Sequence, residues 1–378
     1  MVQWLSGWAK RRQITIDHTR INSDLTNFPI LLYLSASSGI NGADVTSIFD
    51  EVGANRKKIA VTLADGVTQC YVEVEKWDAV NEKAWLWVKV PSISSTSDTI
   101  LYIYYDNTQP DNTDYVGDPG ETPAPNVWDE HFVLVTHMKD DPDTSHVKDS
   151  TVNANHGTKK AANEPIEADG KIAKAQHHDA NDYIDCGADS SLDITSQVTL
   201  EAWVNVDATQ ADYTNIVGKR TSGGDFAYML YKIVDTTRLR PHVKQSDGTY
   251  KSFDSAASLG TGAWKHVAMV ADGSNLRLYI DGTEDGNSPV AYDGTIKSLS
   301  TTPVRIGNDL YETLCFDGYI DECRISNAGR SAAWIKATYE TGRDNLLTWG
   351  SEETPAPLLI HRLPARIPAR NPIYKVPA

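Results

Sequence analysis

The chain has 378 residues, 40% of them hydrophobic and 23% charged, an ordinary globular balance and enough length for two separate cores. No apolar run approaches the ~18 residues that a membrane-spanning helix needs, which sets membrane insertion aside. Lys and Arg total 35 against 51 Asp and Glu, and a formal charge of -16 repels phosphate backbones, which sets nucleic-acid binding aside.

In chain order, the opening MVQWLSGWAKRRQITID has no apolar core of ~7 to 15 residues followed by a small-residue cleavage site, so export by a standard leader is not expected. From Ala84 to Val90, apolar Ala84, Leu86, Val88 and Val90 alternate with Trp85, Trp87 and Lys89, the period-2 signature of a strand with one face inward. Residues 106–126, DNTQPDNTDYVGDPGETPAPN, combine Pro, Gly, Asp and Asn and read as a spacer between cores. Val198 to Val206 alternates again, with Thr199, Glu201, Trp203 and Asn205 on the second face. Leu276, Leu278 and Ile280 lead into Asp281-Gly282, a turn whose two central residues favour the positive φ of a type I′ hairpin. Helical periodicity appears once, at 331–341, with Ser331 as cap and Gly342 as stop. The pentapeptide ETPAP occurs at Glu121–Pro125 and again at Glu353–Pro357, and both copies are expected to be stiff, extended spacers. Cys70, Cys186, Cys315 and Cys323 form no CxxC pair and read as mostly buried thiols, with one bridge among the last three left open.

These elements give an all-β chain of two tandem antiparallel β-sandwiches with one short helix: 1–105 as a first sandwich, 106–127 as linker, 128–350 as a second domain and 351–378 as an extended arm. Residues 355–378 of the arm carry Arg362, Arg366, Arg370 and Lys375 without an acid, spaced by prolines and by branched apolar residues and Tyr374. A solvated tail holds fewer such residues, so Arg362, Arg366, Arg370, Tyr374 and Lys375 are expected to anchor the arm in a groove or on a sheet edge of a partner.

Residues 1–105 resemble a bacterial, archaeal and phage domain family of uncharacterised function that often precedes laminin-G-like domains, through WAKRRQITID, LTNFPILLYLS, FDEVGANRKKIAV, VEVEKWD, AWLWVKVPSIS and TILYIYYDN. Residues 128–350 resemble a concanavalin A-like laminin-G domain, a jelly roll, through VWDEHFVLVTHMKDD, VKDSTVNANHGT, NDYIDCGADSSLDITSQVTLEAWVN, WKHVAMVADGSNLRLYIDGTEDG and FDGYIDECRISNAGRSAAWIKATYE. The second resemblance implies a structural Ca²⁺ between the loop 149–157 and the strand end at 321–322, with Asp149 and Asp321, joined by Asn153 and Asn155, as its oxygen ligands. It also assigns Trp203, Trp264 and Trp334 to core positions.

Hydrolysis is not expected. The Glu-x-Asp-x-x-Glu run of concanavalin-like glucanases is missing, no Gly-x-Ser-x-Gly elbow occurs, and Asp182, Asp185 and Asp317 read as loop or edge carboxylates. His177 and His178 are adjacent on a strand and point to opposite faces, so they do not share an ion. Glycan binding fits better: Tyr213, Tyr228, Tyr231 and Tyr250, with Tyr292, stand beside loops rich in Asp, Asn and Gly that can stack on and hydrogen-bond a sugar. The sequence is therefore expected to encode a non-enzymatic virion surface protein, a phage decoration or tail-fibre-associated component made in the host cytoplasm. It would be held by its arm to other virion subunits or to copies of itself as a homo-oligomer, and would touch host glycans. The alternative is a secreted adhesin or carbohydrate-binding module at the cell surface.

Overall fold

The computed structural model describes residues 3–179, 181–208, 213–234, 236–310 and 315–355. Its first module holds β1 (Lys10–Ile16), β2 (Leu25–Leu34), α1 (Ser47–Val52), β3 (Ile59–Leu63), β4 (Gln69–Cys70), β5 (Val72–Asp78), β6 (Lys83–Ile93), β7 (Thr99–Tyr105) and β8 (Val116–Gly117). The second begins with β9 (Phe132–Thr136), β10 (His146–Val147), β11 (Gly157–Lys159), β12 (Ile166–Asp169), β13 (Lys174–His178), β14 (Ile184–Asp185) and β15 (Val198–Val206). It continues through β16 (Thr214–Arg220), β17 (Phe226–Lys232), β18 (Leu239–Lys244), β19 (Tyr250–Ser252), β20 (Lys265–Ala271), β21 (Asn275–Ile280), β22 (Thr283–Glu284), β23 (Val290–Ala291), β24 (Val304–Ile306) and β25 (Gly318–Ser326). Helix α2 (Ala332–Gly342) and β26 (Leu347–Glu353) follow.

Sheets β26-β1-β7-β3-β4 and β2-β6-β5-β8 form the first sandwich; β10-β11-β14-β24-β16-β17-β18-β19 and β12-β13-β25-β15-β20-β21-β22 form the second. All-β architecture in tandem sandwiches thus stands as the sequence indicates. The Asp281-Gly282 turn has φ 50° and 73°, the left-handed pair that joins β21 to β22. Ser331 caps α2 by accepting the Trp334 N–H.

Three expectations are corrected by the packing. Residues 106–127 are not an open spacer. Val116 and Val127 are buried, β8 pairs in parallel with β5, and Asp118 and Glu121 form ion pairs with Arg56 and Lys57, so the segment gains enough burial and charge pairing to lie against the first sandwich. The first ETPAP copy is a turn, with Pro123 at φ -76° and ψ -28° opening a 3-10 turn at Ala124–Val127. Strand β26 belongs neither to the second sandwich nor to an arm: it is the edge strand of the first sheet, paired antiparallel with β1.

Both faces of β15 are buried, although its sequence alternates. One face fills the second core with Val198, Leu200, Ala202 and Val204. The other meets the first module, and Trp203 joins a core cluster that runs from β2 and β6 through α2. Helix α2 is the wedge: Trp334 packs edge-on against Phe28 at 4.8 Å, and Thr341 accepts the Leu31 N–H at 2.8 Å. Cys70, Cys186 and Cys323 are buried free thiols.

Candidate functional site

Strands β16, β17 and β18 turn one face to the second core and the other outward. A bulge in the β16–β17 ladder, where Gly218 faces Met229 but Arg220 faces Phe226, inserts one extra residue into β17 and brings Phe226 and Met229 onto the same outer face. Phe226, Met229, Tyr231 and Ile233 form a separate apolar cluster there, with Tyr213 against it. On β18, Leu239, Pro241 and Val243 point inward while Arg240, His242 and Lys244 alternate outward.

The result is a cleft of about 260 Å³ whose floor is aromatic and whose rim is basic. The His242 ring lies 4.0 Å from Phe226 and 4.9 Å from Tyr250, and Tyr213 meets Tyr231 edge-on at 5.7 Å. Arg240 sits 5.6 Å over Tyr213 and donates from Nε to Asp254 Oδ1 at 2.5 Å, while Arg220 pairs with Asp309. Burial, helped by Arg240, Arg220 and Lys244, pushes His242 down to about 3, so the ring is neutral. Its Nδ1 faces the Tyr231 hydroxyl at 3.3 Å, and its buried Nε2 has no partner among the described residues. Asp225 is held down at about 2 by hydrogen bonds from Lys244 and Lys297. Flat rings, two fixed guanidinium forks and one unsatisfied imidazole nitrogen make a surface suited to a polyhydroxylated ring.

Of the tyrosines expected at a sugar site, Tyr213 and Tyr231 line the cleft and Tyr250, 60% exposed, stands beside it. Tyr228 is a correction: it faces the second core, and its hydroxyl donates to Leu192 O at 2.7 Å. Tyr292 is also structural, donating to Ser196 O and accepting the Gly273 N–H, both at 2.9 Å. Arg220, Phe226, Arg240 and His242 were missed, yet the alternation in LRPHVK marks Arg240 and His242 as outward residues.

Each residue expected to hold calcium makes hydrogen bonds within the second module. Asp149 Oδ1 accepts the Val135 and Thr151 N–H groups and its Oδ2 accepts Asn155 N–H; Asn153 and Asn155 donate to Phe132 O and Val133 O. Together they stitch the loop 149–157 to β9. Asp321 accepts the Ile172 N–H at 2.8 Å. Among the described residues, three other groups bring His, Asp or Glu together closely enough to share an ion: Asp17/His18/Asp98, His177/Asp207/Asp317 and the buried Glu75/His137/Glu322. Arg362, Arg366, Arg370, Tyr374 and Lys375 lie outside the described residues.

Residues 178–336 match a laminin-G family described as the concanavalin A-like lectin/glucanases superfamily, and residues 55–132 match a domain of unknown function (DUF2341). None of the curated proteins matches the chain. Among solved structures, domain 4 of AbnA, an extracellular GH43 arabinanase from Geobacillus stearothermophilus in complex with arabinotriose, is 22% identical over 55% of this chain and 98% of its own, with a TM-score of 0.42. The receptor binding domain of botulinum neurotoxin mosaic serotype C/D is 14% identical over 56% of this chain, with a TM-score of 0.43, and the match spans 50% of that domain. The binding domain of Paraclostridial Mosquitocidal Protein 1 is 12% identical over 56% of this chain and 52% of its own, at a TM-score of 0.39. The chain carries a DUF2341 domain followed by a concanavalin A-like laminin-G domain.

Proposed function

We propose that this protein binds carbohydrate without cleaving it, through the outer face of β16, β17 and β18. The observation that carries the reading is the unsatisfied His242 Nε2 set among Phe226, Tyr231 and Tyr250 and flanked by Arg220 and Arg240. Aromatic floors take the apolar face of a pyranose, and fixed polar groups at the rim take its hydroxyls. Among the described residues, the acids nearby favour binding over hydrolysis: Asp254 and Asp309 are tied to arginines, and hydrogen bonds from Lys244 and Lys297 hold Asp225 in its charged form, whereas a glycosidase acid must be kept protonated. An array of immobilised neutral and acidic oligosaccharides tests this. Retention of the full chain on at least one glycan, abolished by Tyr231→Ala, is expected; silence across the array ends the reading.

We also propose that the acid-free segment 355–378 anchors the protein to a larger assembly, a virion surface or an oligomer of this chain, so that the cleft is displayed outward. Deleting 355–378 is expected to release the protein from that assembly. Undiminished assembly of the truncated chain contradicts the anchoring role, and an exported adhesin then becomes the better placement.

A further inference from the structure

Where the two sandwiches meet, the carboxyl groups of Glu73, Glu75, Asp321 and Glu322 gather around His137 and Arg324, with Lys171 acting on Asp321 and with Glu201 and His266 on the Arg324 side. A bulge in β25 arranges this: one extra residue opposite Glu201 and Trp203, with Glu322 at φ 49°, leaves Ile320 and Cys323 in the second core while Glu322 and Arg324 face the first module. Strand β5 supplies Glu73 and Glu75, and His137 follows β9 directly. Glu73 is 0% and Glu75 3% exposed, and each keeps an Oε1 with no partner among the described residues. A buried carboxylate oxygen without a donor is costly and has room for a cation.

The geometry goes beyond an excess of acid. His137 Nδ1 lies 2.6 Å from Glu322 Oε1 and 3.6 Å from Glu75 Oε2. The 2.6 Å contact is a hydrogen bond that a shared ion would open, while the 3.6 Å spacing is near the ~3.3 Å between neighbouring ligands of a tetrahedral ion with bonds of ~2.0 to 2.1 Å, and the three ligand atoms all lie within 4.8 Å of one another. Each of these groups is braced from behind. Trp87 Nε1 donates to Glu75 Oε2 at 2.8 Å and Arg324 donates to Glu322 Oε2. On the far side of the imidazole, Nε2 faces Glu73 Oε2 at 3.4 Å, and Glu73 itself accepts from Trp128 Nε1 at 2.6 Å. A carboxylate behind a histidine, fixing the ring so that its other nitrogen points at an ion, is the usual outer support of a metal ligand. Glu75 and His137 also line a crevice of about 10 Å³, about the space one water needs, which shares Glu75, Lys139, Asp141 and Lys148 with a surface groove of about 380 Å³.

We infer that Glu75, His137 and Glu322 form a site for a divalent cation of the zinc class, reached from the groove between the sandwiches and joining the two modules. One imidazole nitrogen with carboxylate oxygens suits Zn²⁺, whereas Ca²⁺ and Mg²⁺ take oxygen ligands throughout. Bound there, the ion links β5 of the first module to β9 and β25 of the second.

The test strips the full-length protein with a chelator, dialyses it against ZnCl₂ and counts metal by atomic emission. Wild type and His177→Gln, a change in the separate surface cluster, are expected to hold one zinc per chain. Glu75→Gln and His137→Gln are expected to bind at least ~100-fold more weakly, and Glu73→Gln, behind the ring, ~10 to 100-fold more weakly. Wild type without zinc, or zinc unchanged by both ligand substitutions, overturns the inference. Should those variants not fold, Co²⁺ added to the stripped His177→Gln chain is expected to give visible absorption that one equivalent of Zn²⁺ removes, and a featureless spectrum overturns it.

Discussion

Ile14 on β1 lies directly opposite Trp349 on β26, so a strand from beyond the second sandwich completes the first. Both side chains are buried in the cluster that spans the modules. Trp349→Ala is expected to destabilise the protein by about 3 to 5 kcal/mol, the usual cost of emptying a large aromatic site. A chain ending before Leu347 is expected to lose the first module's cooperative unfolding. Urea denaturation checks both, and a truncated chain with an unchanged midpoint contradicts this closure.

Much of this fold was legible because strands announce themselves locally. Val198 to Val206 and Ala84 to Val90 alternate, Asp281-Gly282 is a turn by its chemistry, and Ser331 and Gly342 bracket α2. The return of 347–353 to β1 was hidden, since pairing across more than 300 residues leaves no trace in local periodicity. Burial of Glu201 on the second face of β15 was hidden for a related reason: alternation tells which residues share a face, not what covers it, and for Trp203 it was the resemblance that implied a core position. At the cleft, tyrosines near polar loops drew attention to Tyr213, Tyr231 and Tyr250. The same criterion swept in Tyr228, which plain alternation puts on the face opposite Tyr231, and the bulge that brings Phe226 onto the outer face leaves no mark in the sequence.

Asp129 and Arg330 form a buried bidentate pair at 2.6 and 2.7 Å, with the guanidinium stacked 4.4 Å from Phe132 and 4.1 Å from Trp334. Asp129→Ala strands a buried cation and is expected to cost about 3 to 5 kcal/mol. Adding Arg330→Met is expected to recover much of that loss, because the apolar chain keeps the packing. A double-mutant cycle by denaturation measures it; additive losses contradict the pairing.

Asp344, at φ 54° after α2, accepts the Gly39 N–H at 2.7 Å, and its Oδ1 has no partner among the described residues. Burial pushes its carboxyl up to about 6, against the pull of Gly39 and Lys171. A raised carboxyl favours folding while it is protonated, so its contribution is complete below about pH 4 and is lost as pH rises through 6. Asparagine tolerates the left-handed backbone and still accepts from Gly39. Asp344→Asn is therefore expected to raise stability by about 1 to 2 kcal/mol at pH 7.5, with the gap closing by pH 4. Melting curves at the two pH values decide it, and a gap that widens in acid contradicts the burial argument.

In the cleft, Tyr250→Ala removes an exposed ring and Arg240→Gln removes a guanidinium fork. Each is expected to weaken binding of an array-identified oligosaccharide about tenfold, equivalent to ~1.4 kcal/mol, without moving the melting temperature by more than a few degrees. Tyr228→Phe, which removes a hydroxyl that donates to Leu192 O in the second core, is expected to leave binding unchanged. Isothermal titration separates these outcomes, and loss of binding in Tyr228→Phe alone would place the sugar elsewhere.

The most direct measurement is a crystal structure of the full chain with the oligosaccharide it retains. The account predicts a sugar ring against Phe226, Tyr231 or Tyr250, with His242 Nε2 and a guanidinium of Arg220 or Arg240 at hydrogen-bond distance from its hydroxyls. A sugar seated on any other face, with that cleft empty, contradicts it.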